Sequence, residues 1–111
     1  MPVEADSRLF NAVGLAMKAG KLQSGDFIAE RLVRSGAARL VLIDPAASEN
    51  TRDKYARMCD AAHKDCLPVP SWGAAIGKPG RMVAVATDIN FSDMMRKASA
   101  MDGEAGKATR G

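Results

Sequence analysis

Aromatic residues are scarce in this chain: three Phe, one Tyr and one Trp among 111 residues. Readers of single-stranded RNA need several exposed rings on which bases stack, so an aromatic-sheet reader is disfavoured. Cysteine is equally sparse, with Cys59 and Cys66 alone, and His63 is the single histidine. Two cysteines build no disulfide framework, and a lone histidine leaves them short of the four ligands that structural zinc requires. Any Ser–His or Cys–His catalytic pair would have to use His63, which the helical pattern puts at the exposed end of a charged helix. No carboxylate pair stands apart from basic neighbours to serve as general acid and base. Gly73 and Gly77 before Lys78 imitate a phosphate loop, but the spacing is short and Pro79 occupies the place of the magnesium-binding Ser or Thr. The expectation is a protein without catalysis, cofactor or metal.

Long apolar runs are also missing. No stretch approaches the ~18 uninterrupted apolar residues of a membrane span. The start, Met1 to Asp6, is acidic and lacks the apolar core of a signal peptide. Both observations predict a cytoplasmic protein with no membrane partner.

What is present is ordinary for a folded domain: 47% apolar and 26% charged residues, with a formal charge of +3. A chain of this length buries roughly two-thirds of its unfolded surface and needs no staple. The basic excess permits nucleic acid as a partner without requiring it.

Period changes divide the chain. Leu9, Phe10, Val13 and Met17 recur at helical spacing behind Asp6 and Ser7, predicting a helix over 7–18 that Gly20 ends. Leu22 and Gln23 make a short extended step. Ser24 offers a cap to a second helix, closed by Gly36, with Ile28, Ala29, Leu32 and Val33 on one face. The stretch 39–44 reads as a strand, its continuous apolar residues Leu40 to Ile43 showing no alternation, as in a strand covered on both faces. Ser48 caps a third helix to about residue 62. A strand over 66–69, a small helix over 71–75, a loop over 77–80, a covered strand over 82–87 and a helix over 89–99 complete the order. Phe10, Tyr55 and Phe91 fit core positions, while Trp72 and Phe27 are ambiguous. The fold class predicted is α/β, a three-layer α/β/α sandwich around a small mixed, mostly parallel sheet. Residues 1–6 read as a flexible lead-in, 7–100 as the domain, and 101–111, which has no apolar periodicity, as a flexible tail.

Two places offer chemistry. The first is the start of the second helix, where Ser24, Gly25 and Asp26 follow Lys18 and Lys21 and precede Arg31 and Arg34. Unpaired backbone N–H groups and the helix dipole favour an anion there, and a phosphate backbone suits it. The alternative is a turning glycine with cations on a solvated face. The second is the loop of Gly77, Lys78, Pro79, Gly80, Arg81 and Met82, with two cations before a buried strand, whose plain alternative is a surface turn.

Leu15-Ala16-x-Lys18-Ala19-Gly20-Lys21-Leu22-x-Ser24-Gly25, followed by Leu32-x-Arg34-Ser35-Gly36-x-Ala38-x-Leu40-Val41-Leu42, resembles the bacterial YlxQ-like branch of the kink-turn-binding ribosomal protein superfamily. Ser48-Glu49-Asn50-Thr51, Trp72-Gly73-x-Ala75-Ile76-Gly77-Lys78 and Val83-Ala84-Val85 extend the match over about residues 7–98. The resemblance implies an α/β/α sandwich, no enzymatic activity and binding to structured RNA. In similar domains RNA docks on the second helix start and on the loop matching 77–82. Gly25 then corresponds to the family's glycine and Arg31 to its basic residue one turn on. The polar pair that touches tandem sheared G·A pairs falls on Phe27 and Ile28, which carry no side-chain hydrogen-bonding group. That substitution removes contacts worth about 1–3 kcal/mol each. Backbone binding through Lys18, Lys21, Arg31 and Arg81 survives it, with Phe27 stacking on a base or sugar as an alternative to a polar reader. A similar domain follows a second nucleic-acid-binding domain in some bacteria, which leaves open that this chain is part of a longer protein.

The resulting expectation is a monomeric protein that binds structured RNA, ribosomal RNA included, by shape and phosphate contacts. Its RNA surface comprises Lys18, Lys21, Ser24, Gly25, Asp26, Phe27, Arg31, Arg34, Lys78, Gly80, Arg81 and Met82. Ribosomal or transcription-complex proteins are further partners under this reading. The rival is a protein-interaction module of the transcription or translation machinery that uses a Phe27–Ile28 apolar patch.

Overall fold

The computed structural model describes residues 3–107, with side chains from 8 to 100. The elements are α1 (Val3–Lys18), β1 (Leu22–Ser24), α2 (Asp26–Ser35), β2 (Leu40–Ile43), α3 (Glu49–Ala62), β3 (Asp65–Pro68), a short 3-10 helix (Trp72–Ile76), β4 (Val83–Ala86) and α4 (Ile89–Lys107).

The four strands form one mixed sheet in the order β1-β4-β2-β3. β2 and β3 pair in parallel, whereas β4 runs antiparallel to both β1 and β2. Three strands therefore share one direction, as helical crossovers demand. Only the β2–β3 ladder is parallel, because the oppositely directed β4 lies between β1 and β2 and makes two antiparallel ladders. Helical crossovers set β1, β2 and β3 in one direction, whereas the short 3-10 helix and loop before β4 return the chain in the opposite direction. Pro68 is tolerated in β3 because this strand lies at the sheet edge.

β2 and β4 are buried throughout, which matches their unbroken apolar runs. Their alternate side chains feed two cores. Leu40, Leu42, Ala84 and Ala86 join Leu9, Val13 and Ala16 of α1, Trp72, and Met95 of α4. Val41, Ile43, Val83 and Val85 join Ala29 and Val33 of α2 and Tyr55 and Cys59 of α3. This is the three-layer sandwich, with α1 and α4 on one face and α2 and α3 on the other.

Tyr55 and Trp72 are fully buried, and Phe10 and Phe91 pack half-buried against the first core. Ser48 caps α3 by accepting from the Thr51 N–H at 3.2 Å, and Gly36 closes α2 in the left-handed conformation. Two helices are longer than their periodicity implied. Residues 3–6, read as a lead-in, belong to α1, and 101–107, read as tail, extend α4. Glu, Ala, Met and Lys in these stretches are good helix formers, so an existing helix propagates through them without an apolar stripe. Residues 1–2 and 108–111 lie outside the described residues.

Candidate nucleic-acid interface

The centre of the site is the passage from β1 into α2. Gly25 donates its N–H to the Val83 carbonyl at 2.9 Å, which carries the β1–β4 ladder one residue further. Its own carbonyl then accepts from Ala29 at 3.0 Å and opens the helix. A single residue can serve both elements only with φ 119° and ψ 146°, a conformation open to glycine. Gly25 is thus the N-cap and supplies no side-chain cap. The sequence expectation of a Ser24 cap is corrected: Ser24 is the last residue of β1, too early to reach the first-turn N–H groups.

The Ser24 hydroxyl is used elsewhere. Arg81 Nη1 donates to the Ser24 carbonyl and to its Oγ, both at 3.0 Å. The same nitrogen would lie 3.2 Å from a Cβ added to Gly25, so the guanidinium occupies the space that glycine leaves. This contact brings the two candidate places, 57 residues apart, onto one surface.

The arginine loop is held from beneath. Met82, half-buried against the second core, accepts at its carbonyl from Asp44 N–H at 2.8 Å and Trp72 Nε1 at 3.1 Å. Buried Asp44 spends its carboxylate on the N–H groups of Ala46 and Ser71. Lys78 N–H donates to the Gly73 carbonyl at 2.9 Å, and the Lys78 carbonyl lies 2.4 Å from where a Gly73 Cβ would be. Only glycine at 73 lets the chain turn this tightly. Asp44 and Gly73 were not legible as site-forming residues. Asp44 read as a strand end, and the Gly73 signal was spent on the phosphate-loop comparison.

The acids of α2 face α3 and are neutralised there. Lys54 Nζ bridges Asp26 at 3.2 Å and Glu30 at 2.8 Å, while Arg34 Nη2 meets Glu30 at 2.9 Å. The Tyr55 hydroxyl hydrogen-bonds to the Asp26 carboxylate and lies 2.9 Å from its carbonyl. That hydroxyl, and then Lys54, hold the Asp26 carboxyl below the usual carboxylate range against a desolvation cost. Hydrogen bonds from Lys54 and Arg34 do the same for Glu30, and Glu30 in return raises Lys54. Burial, reinforced by the Asp26 carboxylate, pushes the Tyr55 phenol upward, so it stays a donor at neutral pH. Asp26, expected on the RNA surface, is exposed and its carboxylate ties α2 to α3.

With these acids matched, the outer side of α2 presents Phe27, Arg31 and Arg34, which with Glu30 line a shallow depression of about 250 Å³. Phe27 is 78% exposed and Ile28 half-buried. Lys78 and Gly80 are exposed on the loop beyond. Lys18 and Lys21 are exposed too but belong to the other end of β1, where the Lys21 carbonyl accepts from Thr87 at 3.0 Å. Three residue steps along the strand separate Lys21 from Ser24, about 10 Å. The structure therefore groups Ser24, Gly25 and Arg81 at the helix start and sets Phe27, Arg31 and Arg34 along the adjoining depression of α2. It places the two lysines at the other end of β1. Among the described residues, no group of three or more His, Cys, Asp or Glu is placed to hold a metal, and no helix is long and apolar enough to cross a membrane.

The fold and site together are those of a small α/β/α domain whose second helix starts at a glycine and is braced there by an arginine from a second loop. The chain is 34% identical over 89 residues to the RNA-binding protein YlxQ of Bacillus subtilis (strain 168), covering 78% of this chain and 89% of that protein. It is 31% identical over 81 residues to the RNA-binding protein YlxQ of Enterococcus faecium, covering 70% and 79%. The chain belongs to the YlxQ family. No protein-family model matches it. Among solved structures, a Bacillus halodurans C protein of unknown function superposes with a TM-score of 0.77 at 29% identity, covering 87% of this chain and 98% of that one. The Giardia lamblia 15.5kD RNA binding protein superposes with a TM-score of 0.71 at 19% identity, covering 90% and 88%, which bears on the fold alone.

Proposed function

We propose that this protein binds structured RNA, of kink-turn-like or ribosomal and transcription-associated type, through phosphate and shape contacts and without catalysis. Residues 7–100 act as the binding unit, as a monomer in the cytoplasm. The observation that carries the reading is the likeness to two proteins named as RNA-binding, over more than two-thirds of this chain. The geometry is consistent with it. Backbone N–H groups of the first turn of α2 lie beside Arg81, and the acids on the helix are matched by Lys54, Tyr55 and Arg34. Arg31, Arg34, Arg81 and Lys78 serve as phosphate contacts around that junction, with Lys18 and Lys21 further along the backbone.

Phe27 and Ile28 offer no side-chain hydrogen bond, so discrimination among structured RNAs is modest and affinity is largely electrostatic. The test is a titration of a kink-turn RNA, a plain duplex and a single strand at two salt concentrations. Affinity for the structured RNA falls steeply as salt rises. Arg31→Glu and Lys21→Glu each weaken binding without loss of fold by circular dichroism. If neither does, this surface is wrong. If no RNA binds at low salt, the protein-partner reading through Phe27 replaces this one.

A further inference from the structure

Phe27 is the most exposed large apolar side chain among the described residues. A lone exposed apolar residue is ordinary and says nothing about a partner. The surroundings of this one do. Arg31 lies one turn along the helix and Arg34 beyond it, and both line the same depression as Phe27. Glu30, the acid within that depression, is bridged by Lys54 at 2.8 Å and by Arg34 at 2.9 Å. Asp26, beside Phe27 in sequence, is turned to Tyr55 and Lys54. The patch thus combines an accessible ring with guanidinium groups and has its carboxylates already satisfied. The chemistry complementary to it is a flat π-face joined to a negative charge, which is a nucleotide.

The position of the ring narrows this further. Bases inside a duplex are stacked on one another and present only their edges to a protein. A phenyl ring standing off the helix surface therefore finds a free base face only where the RNA is unpaired. Having no donor or acceptor, the ring accepts any base that can stack.

We infer that Phe27 is the stacking platform for one unpaired nucleobase, with Arg31 at the phosphate of the same nucleotide. This inference rests on the RNA-binding reading above and specifies its target as structured RNA with an extruded base whose identity matters little. Phe27 would thus replace readout by hydrogen bonds with readout of strandedness.

The experiment uses the full chain and the tighter-binding of the kink-turn RNA and the single strand. Each unpaired nucleotide is replaced in turn by an abasic residue, and separately by a different base. Wild type should lose about five- to 150-fold in affinity at one abasic position and little on base exchange there. Phe27→Ala should show the same loss on intact RNA and no further loss at that abasic position, since the two changes remove one contact. Phe27→Trp should bind as tightly as wild type, whereas Phe27→Leu should resemble Phe27→Ala. Because the side chain is exposed, all variants should melt like wild type.

Unchanged affinity in Phe27→Ala, additive losses, or full rescue by Leu would each overturn the inference, as would equal binding of a plain duplex. Loss of binding in Arg31→Glu alongside an indifferent Phe27→Ala would leave the RNA reading standing and this inference refuted. Absence of RNA binding by wild type at low salt would overturn both.

Discussion

Arg81 Nη1 donates to two oxygens of Ser24, the carbonyl and the hydroxyl, each at 3.0 Å. The pair joins the end of β1 to the loop before β4, and it places a permanent positive charge beside the helix start. Arg81→Ala removes both a brace and a charge, so two readouts should move. Stability in urea should fall by about 1.5–3 kcal/mol, the range for hydrogen bonds involving a charged group. The slope of log affinity for RNA against log salt should shrink by about one. Ser24→Ala tests the brace alone: the expected loss is smaller, because the carbonyl contact persists. A salt slope unchanged in Arg81→Ala would remove Arg81 from the interface.

Gly25 carries φ 119° because it ends one ladder and starts one helix. Gly25→Ala should therefore destabilise the protein by about 1–3 kcal/mol through backbone strain. The added methyl also meets Arg81 Nη1 at 3.2 Å. That group is the end of a flexible side chain and can move, so the contact adds little to the energy but shifts the guanidinium. RNA affinity should fall more than the folding loss explains, measured well below the melting temperature. Equal stability of Gly25→Ala and wild type would show that the strain is relieved by a local rearrangement.

Gly73 is constrained by space instead. Its missing Cβ would sit 2.4 Å from the Lys78 carbonyl and 3.4 Å from Arg81 Cβ. Neither the backbone oxygen nor the turn below it can yield cheaply, so Gly73→Ala should cost about 1–3 kcal/mol. The Lys78 amide, bonded to the Gly73 carbonyl at 2.9 Å, reports the change directly. Its hydrogen exchange should accelerate in the variant while amides of β2 stay protected.

The elements were largely legible because their signals are local. Ser48 caps α3, Gly36 ends α2, and the unbroken apolar runs of β2 and β4 mark strands covered on both sides. The insertion of β4 was not legible, since pairing partners are chosen by the whole layer and not by the strand's own residues. The same division holds at the site. Gly25 was visible as a glycine at a helix start, yet its service to β4 and α2 together depends on Val83, 58 positions away. Arg81 was visible as a cation in a loop, but Ser24 as its acceptor was not. The engagement of Asp26 with α3 was not legible for a similar reason. Tyr55 was read as core, and nothing in its local pattern tells that its hydroxyl reaches across to α2.

The Asp26–Tyr55–Lys54 cluster makes the stability dependent on acid. Asp26 and Glu30 titrate below their ordinary values in the folded chain, the first through Tyr55 and the second through Lys54. A depressed carboxylate adds stability that is complete above its unfolded pKa, near 4. That contribution disappears as pH falls through the lower folded value. The melting temperature should therefore be flat from neutral pH down to about 5 and should drop below about 4. Both carboxylates are partly solvated, so Asp26 accounts for less than about 1 kcal/mol of the change. Tyr55→Phe deletes the hydroxyl that contributes most to Asp26 and keeps the ring in the core. In that variant the acid-side drop should be shallower than in wild type, whatever the stability at neutral pH. Parallel pH curves for the two proteins would show that Tyr55 does not hold the Asp26 carboxylate.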